Sequence, residues 1–282
     1  MLLRSVAAVG VATFLAARGL RKKSLSQSGA AAAFIVGVLH WLASYQFTVC
    51  MLVFYLSSSK LTKLKADRKR ALEEDFKEGG QRDAVQVLCS AGFACVVCVV
   101  QLVWYGVGVE ATVSHCDPPA VMLAAVVGHY AAANGDTWAS ELGILATAPP
   151  RLITTLWLRT VPPGTNGGMS VIGTAASAAG GAAIGVGCWL WQLASCVAGD
   201  GVLFLVVVGG LAGLFGAAVD SLLGATLQAT MYDDNLRKVV PPSHRGRPGV
   251  RAVTGVDVLS NEAVNLVSVV VTGVVTAAVA CA

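Results

Sequence analysis

The chain is built as long apolar runs separated by short charged blocks, and that alternation constrains its fold more than any motif in it. The runs cover roughly residues 2–20, 29–57, 84–107, 119–135, 168–195, 202–228 and 262–281. At ~1.5 Å rise per residue, each approaches or exceeds the ~30 Å hydrocarbon core of a bilayer. They are continuous and do not alternate polar with apolar, which excludes a transmembrane β-barrel. Charged residues are only 13% of the sequence, about half the share of a soluble domain. The sequence therefore predicts an all-α polytopic membrane helix bundle. It is a single integral membrane domain over 1–282, with about six to eight membrane segments.

Two runs need separate treatment. The run 29–57 is long for one crossing, and the polar "SYQ" near its middle predicts two short helices or a re-entrant pair. The first run has Arg4 ahead of a short apolar core, as a signal peptide does. No convincing cleavage site precedes the basic cluster Arg21, Lys22 and Lys23, so it is read as a retained helix. The eight cysteines are scattered. Cys95 and Cys98 lie mid-run with no second pair and are read as small core residues rather than a metal or redox site.

The basic residues fix an orientation. They fall at the first helix, in 58–83, at Arg151 and Arg159, and in 229–258, while 108–118 and 196–201 hold none. Placing every basic block in the cytosol gives a consistent alternation of crossings, provided that 29–57 crosses twice. On this reading 58–83 is a charged cytosolic loop or interfacial helix ending at Gly79-Gly80, and 229–258 is a basic cytosolic loop. The net charge of +4 is ordinary for a membrane protein and implies no nucleic acid. Small residues in 168–195 and 202–218 predict close helix contact through Gly181/Gly185 and Gly209/Gly213.

The same topology brings five polar motifs to the cytosolic ends of five runs. Asn134, Asp136, Ser140 and Glu141, in "NGDTWASE", end the run 119–135. Gly164, Thr165, Asn166, Gly167 and Gly168 form a turn opening 168–195. Asp220, Ser221 and Gln228 end 202–228, Asn261 and Asn265 open the last run, and Gln81 and Arg82 precede 84–107. Asp136, Glu141 and Asp220 supply hard oxygen ligands suited to Mg²⁺. Asn261 and Asn265 can complete ligation or bond hydroxyls. The "GTNGG" turn leads into a helix N-terminus, where free N–H groups favour phosphate. Arg82, Arg151 and Arg159 can balance phosphate charge. Each feature also has a plainer reading: a glycine turn can be only a turn, a carboxylate can cap a helix, His129 can be a packed residue, and Trp138 can anchor an interface.

The motifs "SSSKLTKLK", "EGGQRDAVQVLCSAG", "GDTWASELG", "PRLITT", "VPPGTNGGMSVIG", "GGLAGLFGAAVDSLLGATLQ" and "NEAVNLVS" resemble, in that order, those of the transmembrane protein 19 family. The likeness covers the chain from about residue 20. That family includes a plant phytyl-phosphate kinase, so the resemblance implies transfer of a phosphoryl group from a nucleoside triphosphate, CTP or another, to a prenyl monophosphate. It implies an isoprenoid phosphate partner in the membrane, and a location in the endoplasmic reticulum or plastid envelope. Asp136, Glu141 and Asp220 would hold Mg²⁺ on the nucleotide, and the Thr165–Gly168 turn and nearby arginines would cradle phosphates. No P-loop or protein-kinase motif set is present. A carrier or channel with intramembrane carboxylates, or a non-catalytic membrane protein, remains the competing expectation.

Overall fold

A computed structural model describes residues 2–62, 81–113, 116–156, 159–196 and 200–280. Most of the charged block 58–83, including its expected helix end at Gly79-Gly80, lies outside the described residues. Among those described are eight α-helices: α1 (Leu2–Arg21), α2 (Gln27–Ala43), α3 (Tyr45–Leu61), α4 (Ala84–Trp104), α5 (Pro118–Gly143), α6 (Val171–Ala194), α7 (Val202–Leu227) and α8 (Asn261–Ala280). The chain is a polytopic helical membrane bundle. Helices α1, α4, α6, α7 and α8 are long and apolar enough to cross a bilayer by themselves.

The split within 29–57 falls at Ser44. Its side chain accepts hydrogen bonds from the Gln46 and Phe47 N–H groups and starts α3 in the reverse direction. Helices α2 and α3 have 17 residues each, about 25 Å, so they are the short members of the bundle. Consecutive helices alternate in direction, and hydrogen bonds tie their ends together. At one end, the α1–α2 turn meets the start of α4 through Arg82 N–H to Ser24 O (3.1 Å) and Ser26 N–H to Arg82 O (2.9 Å). At the other, Gln46 Nε2 donates to Ala111 O (2.8 Å) and Val113 N–H to Asp200 (2.8 Å).

Helix α5 runs through the middle, with every residue from Leu123 to Gly135 buried. Such a helix must be wrapped on all sides, and small residues allow it. Helices α6 and α7 approach so closely that a Cβ on Gly181 or Gly209 would run into the other's carbonyl oxygen, while one on Gly135 would stand 2.8 Å from Ser177 O. Neither leucine nor alanine fits there, so the glycines expected to mediate packing do so.

Two features correct the sequence reading. The helix that "NGDTWASE" ends does not stop at 135: α5 continues to Gly143, because nothing before that glycine breaks it. Asp136 therefore lies about two turns inside the helix, as does Asp220 in α7. The segment 229–258 is not simply a loop. It holds strands β3 (Thr230–Asp233), β4 (Lys238–Val240) and β5 (Val250–Thr254), antiparallel in the order β4-β3-β5. A two-residue ribbon, β1 (Arg151–Leu152) and β2 (Gly168–Met169), precedes α6. Both are too short to show a period in sequence.

Candidate functional site

The polar end of the bundle contains a recessed pocket of about 100 Å³ between α3, α4, α5 and α8. Arg82, Asp136, Thr137, Asn261, Asn265 and Ser268 supply its polar wall, and Phe54 and Val269 its apolar one. The local structure explains why these side chains meet. Asp83 caps α4 by accepting from Gln86 N–H (3.0 Å), while the Gln86 side chain accepts from Asp83 N–H (3.3 Å). This box sets the start of α4 and turns Gln86, Cys89 and Ser90 toward the pocket. Ser260 caps α8 through Ala263 N–H (3.2 Å), so two helix N-termini border the pocket. Their dipoles favour an anion there.

Charge in the pocket is only partly compensated. The Arg82 backbone is pinned by the α1–α2 turn, and its guanidinium lies 5.6 Å from the centre of the Phe54 ring. Among the described residues that guanidinium makes no hydrogen bond or ion pair. Burial lowers its pKa from the ordinary value, and the Glu141 carboxylate, then Tyr55, opposes that shift. Asp136 and Asp220 lie within coulombic reach of one another. Asp220 receives one long hydrogen bond, 3.5 Å from Ser268 Oγ, and the Asp136 carboxylate receives none among the described residues. Two neighbouring carboxylates without a basic partner are costly unless a cation joins them.

The residue set fits a hard divalent cation in one particular way. Among the described residues no three His, Cys, Asp or Glu side chains converge to hold a metal by themselves. Two carboxylates with amide and hydroxyl oxygens nearby suit Mg²⁺, which keeps waters and takes phosphate oxygens to complete its shell.

The structure thus gathers Arg82, Asp136, Asp220, Asn261 and Asn265 of the residues expected from sequence, with Glu141 buried beside Arg82. Other expected members lie elsewhere. Asn134 ties three helices, accepting from Ser57 Oγ (2.8 Å) and Ser58 Oγ (3.2 Å) and donating to Gly180 O (2.7 Å). The Gly164–Gly168 turn packs on α7. Thr165 is buried and donates to Pro162 O (2.7 Å), Asn166 N–H donates to Thr230 Oγ1 (3.1 Å), and Gly167 sits against Ser221 O with φ +76°. Any side chain at Gly167 would overlap Ala225, so this glycine serves close backbone contact. Gln81, Ser140 and Arg151 are exposed and Gln228 is buried, all outside the pocket lining. His129 is a packed residue, with Nε2 at 2.9 Å from Ser90 O. Trp138 is held inside, donating to Ser57 Oγ (3.2 Å). Gln86, Cys89 and Ser90 escaped the sequence reading because they belong to an apolar run whose inward face no local signal marks.

The family model described as integral membrane protein DUF92 matches residues 10–273. The chain belongs to that family. Protein PGR of Arabidopsis thaliana is 41% identical over 280 residues, covering 97% of this chain and 95% of that protein. Protein VTE6, chloroplastic, of the same plant is 31% identical over 193 residues, 67% of this chain and 55% of that protein. An uncharacterized membrane protein of Methanocaldococcus jannaschii is 24% identical over 281 residues, 99% of this chain and 96% of that protein. No solved structure matches the chain. This chain is a multi-pass integral membrane protein.

Proposed function

We propose that this DUF92 protein is a membrane-embedded lipid-phosphate kinase, transferring a phosphoryl group from a nucleoside triphosphate to a prenyl monophosphate of the phytyl type. The observation that carries the reading is a recessed pocket lined by Asp136 and by an Arg82 guanidinium that has no hydrogen bond or ion pair among the described residues, with Asp220 joined to the pocket wall through Ser268. A lipid phosphate needs the guanidinium, and a metal-bound nucleotide needs the carboxylates. The sequence resemblance to the transmembrane protein 19 family supports the same assignment.

In the reaction, an oxygen of the prenyl phosphate attacks the terminal phosphorus of the nucleotide. The bond to the bridging oxygen breaks, leaving a nucleoside diphosphate and a prenyl diphosphate. The acceptor is already anionic at neutral pH, so no strong general base is required. Arg82 and the α4 and α8 N-termini hold the acceptor phosphate against the charge of the incoming one. Asp136 and Asp220 would hold Mg²⁺, with Asn261 and Asn265 completing the oxygen set; the ion supplies neutralisation of charge on the phosphates. Catalysis then comes from positioning and electrostatics. Glu141 stands beside Arg82 and acts as its counter-charge rather than as a third ligand. The polar end with its basic segments faces the cytosol or the corresponding side of a plastid envelope.

The test uses purified protein in detergent with Mg²⁺, phytyl, farnesyl and geranylgeranyl monophosphates, and each of the four nucleoside triphosphates, with Asp136→Asn in parallel. Prenyl diphosphate formed by the native protein and lost in the variant is the expected result. A folded native protein that forms no diphosphate with any pair rejects the kinase assignment and turns attention to a carrier using the same carboxylates.

A further inference from the structure

The pocket is small. Its volume of about 100 Å³ is well below the roughly 300–1,000 Å³ of sites that enclose whole small molecules. It accommodates a phosphate group and leaves no room for a long chain. The walls show where a chain can go. On the inner side α5 is buried from Leu123 to Gly135, and Asn134 with Ser57 and Ser58 ties it to α3. The wall toward the bilayer is the seam between α4 and α8. On α4, Cys89 lines the pocket while its neighbour Leu88 is 49% exposed; on α8, Asn265 and Ser268 line it while Val267 between them is 39% exposed.

That seam is closed deeper in the membrane. Phe93 lies against Gly273, with its ring 2.6 Å from where a Cβ on that glycine would stand. Nearer the polar end, Cys89 of α4 and Glu262 of α8 both line the pocket. The Glu262 charge sits in the first turn of α8, where the helix dipole offsets it. Cys89 and Glu262 therefore flank the pocket on the α4–α8 side, with the Phe93–Gly273 contact deeper along the same seam.

We infer that a lipid phosphate enters through the Cys89–Glu262 gap with its chain left in the bilayer, so that the site recognises the phosphate and the first carbons and ignores chain length. This rests on the reading of the acceptor as a lipid phosphate. The Phe93–Gly273 contact is what makes length irrelevant: without it the chain would find a groove between α4 and α8.

The native protein in lipid nanodiscs tests this, with the rate of maleimide modification at Cys89 read by peptide mass spectrometry. Farnesyl, geranylgeranyl and phytyl phosphates are compared at equal mole fraction in the disc, alongside inorganic phosphate. Cys196, exposed at the far end, is the internal control. All three lipid phosphates are expected to slow Cys89 modification with half-effects within about threefold of each other, since a chain left in the bilayer makes no contact that depends on its length, whereas a groove of fixed shape in the protein would single out the chain that fills it. Inorganic phosphate is expected not to protect, and Cys196 to react unchanged. A strong chain-length preference, protection by inorganic phosphate equal to that by the lipids, or unprotected Cys89 overturns the lateral entry. Diphosphate formation, measured on the same discs, separates the two ideas. Protection without product removes the kinase step and keeps the portal, and product without protection does the reverse. Neither protection nor product removes both.

Discussion

At the end of the bundle remote from the pocket, Glu110 accepts hydrogen bonds from Ser44 Oγ (3.0 Å), Tyr45 N–H (2.8 Å) and Gln46 N–H (3.1 Å). Arg4 stands 3.9 Å from the same carboxylate and stacks on Tyr45. Asp200 accepts from Val113 N–H (2.8 Å) and Gln192 Nε2 (3.1 Å). At the pocket end, among the described residues, Asp220 accepts one 3.5 Å hydrogen bond from Ser268 Oγ and the Asp136 carboxylate accepts none. The same residue types, shielded to similar depth, are saturated with donors at one end and nearly bare at the other. A carboxylate whose lone pairs are all used by N–H and O–H groups of its own chain holds helices together. One left short of donors among the described residues is open to a further partner such as a bound cation.

The sharpest way to break that contrast is to neutralise the bare pair. Asp136→Asn or Asp220→Asn should lower phosphoryl transfer by about a hundredfold or more, the scale of losing a preorganised electrostatic group. Thermal unfolding should be unchanged or shifted slightly upward, since one of two adjacent like charges is gone. A variant with normal turnover and a lowered melting temperature would place these residues with Glu110 as structural ties. Next in size is Arg82. Arg82→Ala should raise KM for the lipid phosphate by about tenfold to a hundredfold, and Arg82→Lys should recover only part of it, because an ammonium lacks the planar fork that takes a phosphate bidentately. Full recovery by lysine would reduce Arg82 to a point charge.

The sequence was most informative where one physical constraint acts alone. Long apolar runs must cross the membrane, and Ser44 with its free side-chain oxygen must start a new helix, so the bundle and the α2–α3 break were both legible. The glycines of α6 and α7 were legible as contacts for the same reason. The site was legible in part. Knowing that five motifs share one membrane side does not fix which way each side chain turns around its helix. Asp136, Asn261 and Asn265 reach the pocket lining, and Asp220 meets it through Ser268. Ser140, one turn beyond Asp136, donates to its own helix at Asp136 O (3.0 Å) and faces out. The Gly164–Gly168 turn looked like a phosphate cradle because glycine allows close approach, but what approaches it is α7. The pairing of β3 with β5 depends on contacts between segments that carry no signal separately.

Removing the saturated carboxylate should have the opposite signature to removing the bare ones. Glu110→Ala leaves three donors and the Arg4 guanidinium without their acceptor. It should cost about 3 kcal/mol of stability, read as a lower melting temperature, with turnover per folded molecule preserved. An unchanged melting temperature would show that these hydrogen bonds only offset the cost of burying the charge.

The smallest effect comes from the same residue and tests that balance directly. Burial raises the Glu110 pKa, and the donors from Tyr45, Gln46 and Ser44, with Arg4, only partly reverse the shift. The folded protein therefore binds the Glu110 proton more tightly than the unfolded chain does. Its contribution to stability is fully present below the unfolded glutamate value and is lost as pH rises through the folded one. Glu110→Gln cannot titrate. The difference in melting temperature between the native protein and Glu110→Gln should therefore move in favour of the native protein as pH is lowered through that window, and level off beneath it. The opposite slope would mean that the α3 N-terminus and Arg4 stabilise the anion more than burial penalises it, and Glu110 would then be a true ion-pair anchor for α1. A flat difference would mean that Glu110 has the same proton affinity folded and unfolded. In either case the contrast with Asp136 and Asp220 would have to rest on hydrogen-bond count alone.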